Sequence, residues 1–159
     1  MEKIIPGDIE NAAHNEMNRA IRIKYPLSIA IIEIDQLKEF SQSNGKETCD
    51  KLLSAFKLIC QKNSREIDTV FDFSHNLFIL FLPGAGNEHA YVAAERIRLV
   101  ASKGVTISSE FVVPINISIG ISTFQDNQIT IESLFAQALQ ALSHAKSNAS
   151  NRVVGFEDI

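Results

Sequence analysis

The sequence predicts an α+β fold in which a central mixed, mostly antiparallel sheet is flanked by helices, an architecture of ferredoxin-like kind. Apolar runs typical of buried strands occur at 27–34 and 77–82, the second inside a hairpin-like stretch over 65–83. Segments with a helical period surround them, in the order helix, strand, helix, hairpin, helix, strands, helix, strand. A hairpin inserted between two helix–strand units favours a mixed sheet covered by helices.

Length and composition favour one globular domain. The chain has 159 residues, 45% hydrophobic and 21% charged, which allows a full core and excludes general disorder. We expect a single domain over 1–159, with an N-terminal helix over 1–24 and a core over 25–156. The net charge of −4 argues against a general nucleic-acid binder, because phosphate neutralisation needs a basic face.

The sequence also predicts a cytoplasmic domain without membrane contact. No apolar run approaches the roughly 20 residues that span a bilayer, and the start MEKIIPGDIE does not resemble a signal peptide. Cys49 and Cys60 stand three helical turns apart, too far to bridge within one helix, so free thiols in a reducing compartment are expected. Neither the cysteines nor His14, His89 and His144 have metal-ligand spacing, and no metal or cofactor is expected.

The local patterns predict the boundaries of the elements. We expect helices at 8–24, 50–61, 87–102 and 130–146, and strands at 27–34, 105–111, 115–121 and 153–156. Asp8 is the expected N-cap of the first helix, and residues 36–46 are expected to form a polar turn. The hairpin over 65–83, with a turn at 74–76, is expected to lie mid-sheet. Gly120 would let another segment approach the backbone of its strand closely.

Six ordered segments carry a resemblance to a known family. They are PLSIAIIEIDQLK (26–38), Gly45 with CDKLL (49–53), FILFLP (78–83), AAERIR (93–98), INISIGIS (115–122) and ALSHAK (141–146). Together they resemble a GGDEF domain, the fold of bacterial diguanylate cyclases, across roughly residues 14 to 156. This resemblance implies the nucleotide-cyclase palm. It also implies a place in signalling by cyclic di-GMP, which family enzymes make from two GTP molecules.

The signature that names the family is replaced here. Its five-residue turn aligns with Ser74, His75, Asn76, Leu77 and Phe78. The two glycines that let backbone N–H groups approach phosphates become Ser74 and His75. The metal carboxylate becomes Asn76, and the carboxylate important for catalysis becomes Leu77. Magnesium prefers charged oxygen ligands, so the resemblance predicts a domain without cyclase activity.

Other positions of the family's substrate site are partly kept. By resemblance, Glu33 replaces the metal-binding aspartate, Asp50 matches the aspartate that reads guanine, and Lys146 matches a phosphate-contacting lysine. Their family partners are replaced by Ser41 and Ser150. The expected vestigial substrate site consists of Glu33, Asp50, Ser74, His75, Asn76, Leu77 and Lys146.

Structural interpretations of these positions stay open. Glu33 and Asp35 could be solvated carboxylates or helix caps, Asp50 a first-turn acid, and Lys146 a charge at a helix C-terminus. GTP binding without turnover also stays open.

A second family site looks intact. Family members often carry an inhibitory RxxD motif ending five residues before the signature, and Arg65 and Asp68 have this spacing. Arg96 matches a further arginine of that site. We therefore expect a receptor that binds cyclic di-GMP through Arg65, Asp68 and Arg96. The alternatives are a solvated Arg65–Asp68 pair and a dimerisation or protein-interaction module, binding no nucleotide, of a larger signalling protein.

Overall fold

The computed structural model describes residues 5–74, 76–126 and 129–159. The helices are α1 (Gly7–Ile23), α2 (Leu37–Asn44), α3 (Lys46–Lys62), α4 (Asn87–Lys103) and α5 (Ile131–Ser147). The strands are β1 (Leu27–Ile34), β2 (Thr69–Ser74), β3 (Leu77–Pro83), β4 (Val105–Ser108), β5 (Phe111–Val113), β6 (Ile117–Phe124) and β7 (Val153–Gly155). A short 3-10 helix follows at Phe156–Asp158.

The main sheet has the strand order β2-β3-β1-β6-β7. Strand β1 is central and pairs antiparallel with β3 and β6, whereas β6 and β7 run parallel. Strands β4 and β5 form a separate two-stranded hairpin. The predicted fold class, a mixed and mostly antiparallel sheet flanked by helices, is confirmed.

Each face of the sheet carries its own hydrophobic core because successive side chains of a strand point to opposite faces. On β1, Ala30 and Ile32 belong to a core with α3 and α4. Ile29 and Ile31 belong to a second core with α1 and α5. A strand buried on both faces is continuously apolar, which explains the LSIAIIEI run.

Gly120 allows α5 to approach the sheet. A Cβ atom on Gly120 would overlap the backbone of Ala138 and Leu142 in α5. The close approach that the sequence predicts at this glycine is therefore made by the backbone of a helix. At the start of the same helix, Thr130 accepts a hydrogen bond from the Ser133 N–H at 3.1 Å, so the predicted opening of α5 is confirmed.

The prediction that the hairpin lies wholly mid-sheet is wrong for its first arm. Strand β3 is internal and almost entirely buried, but β2 is an edge strand with exposed positions. The charged side chain of Asp72 and a register shift between Asp72 and Ser74 suit an edge, where one side of the strand needs no partner. The predicted turn residue His75 lies outside the described residues.

Residues 36–46 also differ from the prediction of a plain turn. They contain helix α2, whose Leu37 is buried, and Gly45 with φ of 86° separates α2 from α3. The Asn44-Gly45 signal therefore marks a junction between two helices, and α3 begins four residues earlier than predicted. A helix of eight residues with one buried side chain has too little apolar periodicity to be recognised.

Smaller boundary predictions are wrong as well. The N-cap of α1 is Pro6 and not Asp8, which lies in the first turn without a side-chain capping bond. The single strand predicted over 105–111 is the β4–β5 hairpin. The strand predicted over 115–121 begins at Ile117 and continues to Phe124.

Two other findings concern the sequence predictions. Cys49 and Cys60 are free and buried on α3, as the helical pattern predicts. Among the described residues, none of the helices combines the length and apolar character that crossing a bilayer requires.

Candidate functional site

A buried carboxylate anchors the first candidate site, in the connection between α3 and β2. The backbone N–H of Arg65 donates to Asp68 Oδ2 at 2.8 Å, and its guanidinium donates to both carboxylate oxygens at 3.3 and 3.0 Å. The same guanidinium donates to the carbonyl of Pro83 at 2.7 Å. The Asp68 side chain is only 1% exposed, whereas that of Arg65 is 51% exposed. The pair is thus half-buried and not fully solvated.

Helix α4 completes a cavity around this pair. The cavity has a volume of about 320 Å³, and Arg65, Asp68 and Arg96 all line it. His89, Val92 and Ala93 of α4 form the rest of that wall. Arg96 is exposed, and it has no hydrogen-bond or ion-pair partner within the described part of the chain. The structure therefore brings the three predicted side chains to one cavity.

The cavity combines two kinds of polar group. Arg65 and Arg96 supply guanidinium groups, whose planar forks suit phosphate oxygens and the O6/N7 edge of guanine. Asp68 supplies carboxylate oxygens that can accept N–H bonds from a base once the Arg65 guanidinium moves off them. Val92 is 52% exposed and adds an apolar surface beside these polar groups. Such a lining can hold an anionic ligand that also carries a base.

A second group of predicted residues lies at the end of β1. Glu33 is the direct strand partner of Leu77 on one side and of Ser118 on the other. Its carboxylate forms an ion pair with Lys146 Nζ at 2.6 Å, and its side chain is only 14% exposed. Glu33 is therefore neither solvated nor a helix cap. Lys146 does lie in the last turn of α5, as predicted, but it reaches back to the sheet.

Asp35 has a structural role that the sequence did not reveal. The Ser118 hydroxyl donates to Asp35 Oδ1 at 3.0 Å, and the Asn151 backbone N–H donates to Oδ2 at 3.1 Å. Burial raises the pKa of the Asp35 carboxyl, and these hydrogen bonds oppose the shift. The carboxyl thus fastens the turn between α5 and β7, where Ala149, Ser150 and Asn151 all have positive φ. The sequence signal for this turn was Asn151, because asparagine adopts a positive φ more readily than most residues do.

Of the other predicted substrate-site residues that the structure describes, Ser74 and Leu77 are strand partners in the β2–β3 hairpin, and Leu77 also pairs with Glu33. Asp50 lies in the second turn of α3, not the first, and its exposed carboxylate is 3.6 Å from Lys46 Nζ. Ser41 lies on α2, and the Ser150 hydroxyl bonds the Lys146 carbonyl at 3.4 Å. Within the described residues, neither Asn76 nor Leu77 supplies a carboxylate beside Glu33 at the end of β1. His75 of this expected group lies outside the described residues.

The sheet order, the two helical layers and the residues at the end of β1 define a nucleotide-cyclase palm. The model of the family "Diguanylate cyclase, GGDEF domain" matches residues 8–152. The chain therefore belongs to the GGDEF diguanylate cyclase family.

Relatives and solved structures agree with this assignment. Diguanylate cyclase DosC of Escherichia coli K12 is 32% identical over 145 residues, which cover 87% of this chain and 30% of DosC. The active GGEEF domain of a Vibrio cholerae diguanylate cyclase superposes with a TM-score of 0.86 at 24% identity, covering 94% of each chain. The GGDEF domain of DgcB from Caulobacter crescentus, solved with c-di-GMP, gives 0.85 at 18% identity, covering 94% of this chain and 86% of that one.

The extent of these matches differs between the two kinds of relative. The chain spans about 30% of the length of DosC, whereas it covers nearly the whole of the two isolated domains. The likeness to the solved domains concerns the fold.

Proposed function

We propose that this GGDEF domain has lost cyclase activity and serves as a receptor for cyclic di-GMP in bacterial second-messenger signalling. The observation that carries the proposal is that Arg65, Asp68 and Arg96 line one cavity. In the vestigial substrate site at the end of β1, by contrast, Glu33 is paired with Lys146. The proposal separates a ligand site from a reaction site within one fold.

The proposed loss of activity rests on whether the residues at the end of β1, where the family site lies, can bind divalent metal ions. Family chemistry implies divalent metal ions, which supply charge stabilisation to phosphoryl transfer when bound. Here the Glu33 carboxylate is neutralised by Lys146, and Asp35 is engaged by Ser118 and Asn151. The neighbouring Asn76 offers an amide and no charge. This set does not fit a magnesium site, which needs accessible charged oxygens in octahedral geometry.

The proposed binding rests on electrostatics in a sheltered cavity. Two guanidinium groups and one buried carboxylate give the lining a positive balance that suits the two phosphates of a cyclic dinucleotide. Both Asp68 oxygens accept hydrogen bonds from the Arg65 guanidinium, so this group must turn from the carboxylate toward the ligand when a base binds. The backbone N–H of Arg65 also donates to Asp68 and keeps the carboxylate in place. The DgcB domain solved with c-di-GMP has the same fold, which supports this ligand class.

Calorimetric titration with cyclic di-GMP tests the receptor function. We expect saturable binding by the purified chain and a loss of affinity of about 1.5–3 kcal/mol in Arg96→Ala, because a charged hydrogen bond to the ligand is removed. Arg96 is exposed and unpaired within the described chain, so this variant should fold normally. Arg22→Ala, at an exposed arginine of α1, is the matched control and should bind as the wild type does. An absence of heat at high micromolar ligand would support the nucleotide-free interaction module instead.

Incubation with GTP and either magnesium or manganese tests the loss of activity. We expect no cyclic di-GMP by chromatography under conditions in which an active diguanylate cyclase converts its substrate. Formation of the product would contradict the proposed inactivity without touching the receptor site. GTP binding without product would show that the vestigial substrate site still binds a nucleotide.

A further inference from the structure

We propose that Glu10, His14 and Glu132 form a binding site for a divalent transition metal ion that bridges α1 and α5. One ligand atom from each of these side chains lies within 4.8 Å of the other two. The site lies on the α1 and α5 side of the sheet, apart from the α3–α4 cavity, and the proposal is independent of cyclic di-GMP binding.

The geometry of α1 places two of the ligands on one helical face. Residues four apart on a helix are surface neighbours, and His14 Nε2 lies 3.9 Å from Glu10 Oε1. The side chains of His14 and Glu10 are 50% and 28% exposed, so both can be reached by an ion from solvent. Glu132 enters from the first turn of α5.

The backbone beneath the site is held by the core. Each of the three residues directly follows a buried side chain: Ile9, Ala13 and Ile131 are at most 2% exposed. These three anchors belong to the same hydrophobic cluster. The packing of α1 against α5 therefore brings together ligands that are distant in sequence, and only short side-chain movements are left for metal binding.

The ligand chemistry selects the class of ion. An imidazole and two carboxylates form a mixed nitrogen and oxygen set, which distinguishes this cluster from an acidic patch. Zinc takes such ligands at about 2.0–2.2 Å, commonly three from the protein with water in the fourth position. Donor atoms of a tetrahedral site then lie about 3.4 Å apart. Here His14 Nε2 and Glu10 Oε1 are 3.9 Å apart, and all three ligand atoms lie within 4.8 Å of one another, so the side chains close inward when the ion binds. Magnesium favours an octahedral oxygen set, for which the imidazole is unsuited.

Titration of Zn²⁺ into the untagged chain tests the site. We expect one ion per chain, and a rise in Tm of about 5–10 °C at one hundred times the dissociation constant. His14→Ala should lower the affinity at least about tenfold, because it removes the only nitrogen ligand, and Glu132→Gln should also weaken binding. Magnesium at the same concentration should produce neither effect.

His144→Ala provides the matched control, since His144 is an exposed helical histidine outside the cluster. It should bind zinc and melt as the wild type does. Failure to bind zinc, equal affinity in His14→Ala, or an equal loss in His144→Ala would overturn the proposal. Circular dichroism of each variant without metal, expected to match the wild type, separates loss of the site from loss of the fold.

Discussion

At the scale of single residues, the structure pairs charges that the sequence leaves apart. Glu33 and Lys146 are separated by most of the chain, yet their ion pair at 2.6 Å joins the end of β1 to the end of α5. Removing one partner of a shielded pair leaves the other charge poorly solvated, which costs more than breaking an exposed pair.

Replacing Lys146 with methionine should therefore destabilise the chain. We expect a loss of about 1–3 kcal/mol in the free energy of unfolding, measured by urea denaturation at neutral pH, because Glu33 keeps a carboxylate that is only 14% exposed. Lys46→Met removes the matched lysine from Asp50, an exposed carboxylate at 3.6 Å, and should change stability by less than about 0.5 kcal/mol. Equal effects of the two substitutions would show that the Glu33 pair has no special weight.

At the scale of elements, three faces of α4 contact three different parts of the molecule: the sheet, the proposed receptor cavity and the α5–β7 turn. Its buried stripe packs on the sheet, and Arg96 lines the proposed receptor cavity. Its third face carries Arg98, whose guanidinium donates to Glu95 and, at 3.3 Å, to Asn151 Oδ1 in the α5–β7 turn. The hydrogen bonds from Arg98 lower the pKa of the Glu95 carboxyl, although partial burial opposes this shift.

The Glu95 pair should make stability depend on pH. Because the folded chain lowers the pKa of Glu95 below its ordinary 4.5, the carboxylate stabilises the fold above that pH and loses this effect as the pH falls through the folded value. Glu95→Gln should be less stable than the wild type at pH 7, and the difference should shrink below pH 4.5 in urea titrations. Glu110→Gln, at an exposed position of the β4–β5 turn, serves as the control and should show no such convergence.

At the scale of the whole molecule, one sheet separates two hydrophobic cores. The core beneath α3 and α4 contains both cysteines, each at most 1% exposed. Burial raises the pKa of the Cys60 thiol to about 12, which keeps the reactive thiolate scarce. Neither cysteine can be reached without opening this core.

Thiol labelling should therefore report global opening. We expect the native chain to react with Ellman's reagent only as slowly as it unfolds, and both thiols to react at once in denaturant. Spectrophotometric titration in increasing urea should give a labelling transition that coincides with loss of helical circular dichroism. A thiol that reacts within seconds in native buffer would contradict the burial of α3 against the sheet.

The local patterns determined most elements of this protein. Apolar runs located β1 and β3, periodicity located the long helices, and six ordered segments identified the family that residues 8–152 match. These features can be predicted from the sequence because each depends on residues that are adjacent in sequence or one helical turn apart. The short helix α2 was missed because its apolar periodicity is weak. Strand β2 was predicted as an arm of the hairpin, but its place at the edge of the sheet was not, because strand order depends on pairing between distant segments.

Tertiary structure alone decided which charges meet. The sequence proposed Arg65, Asp68 and Arg96 by resemblance, but only packing of α4 beside the α3–β2 connection puts them around one cavity. The Glu33–Lys146 pair, the Asp35 contacts and the Glu10–His14–Glu132 cluster all join distant segments. Ion pairing and metal ligation depend on distances of a few ångströms, and the sequence sets those distances only through the fold of the whole chain.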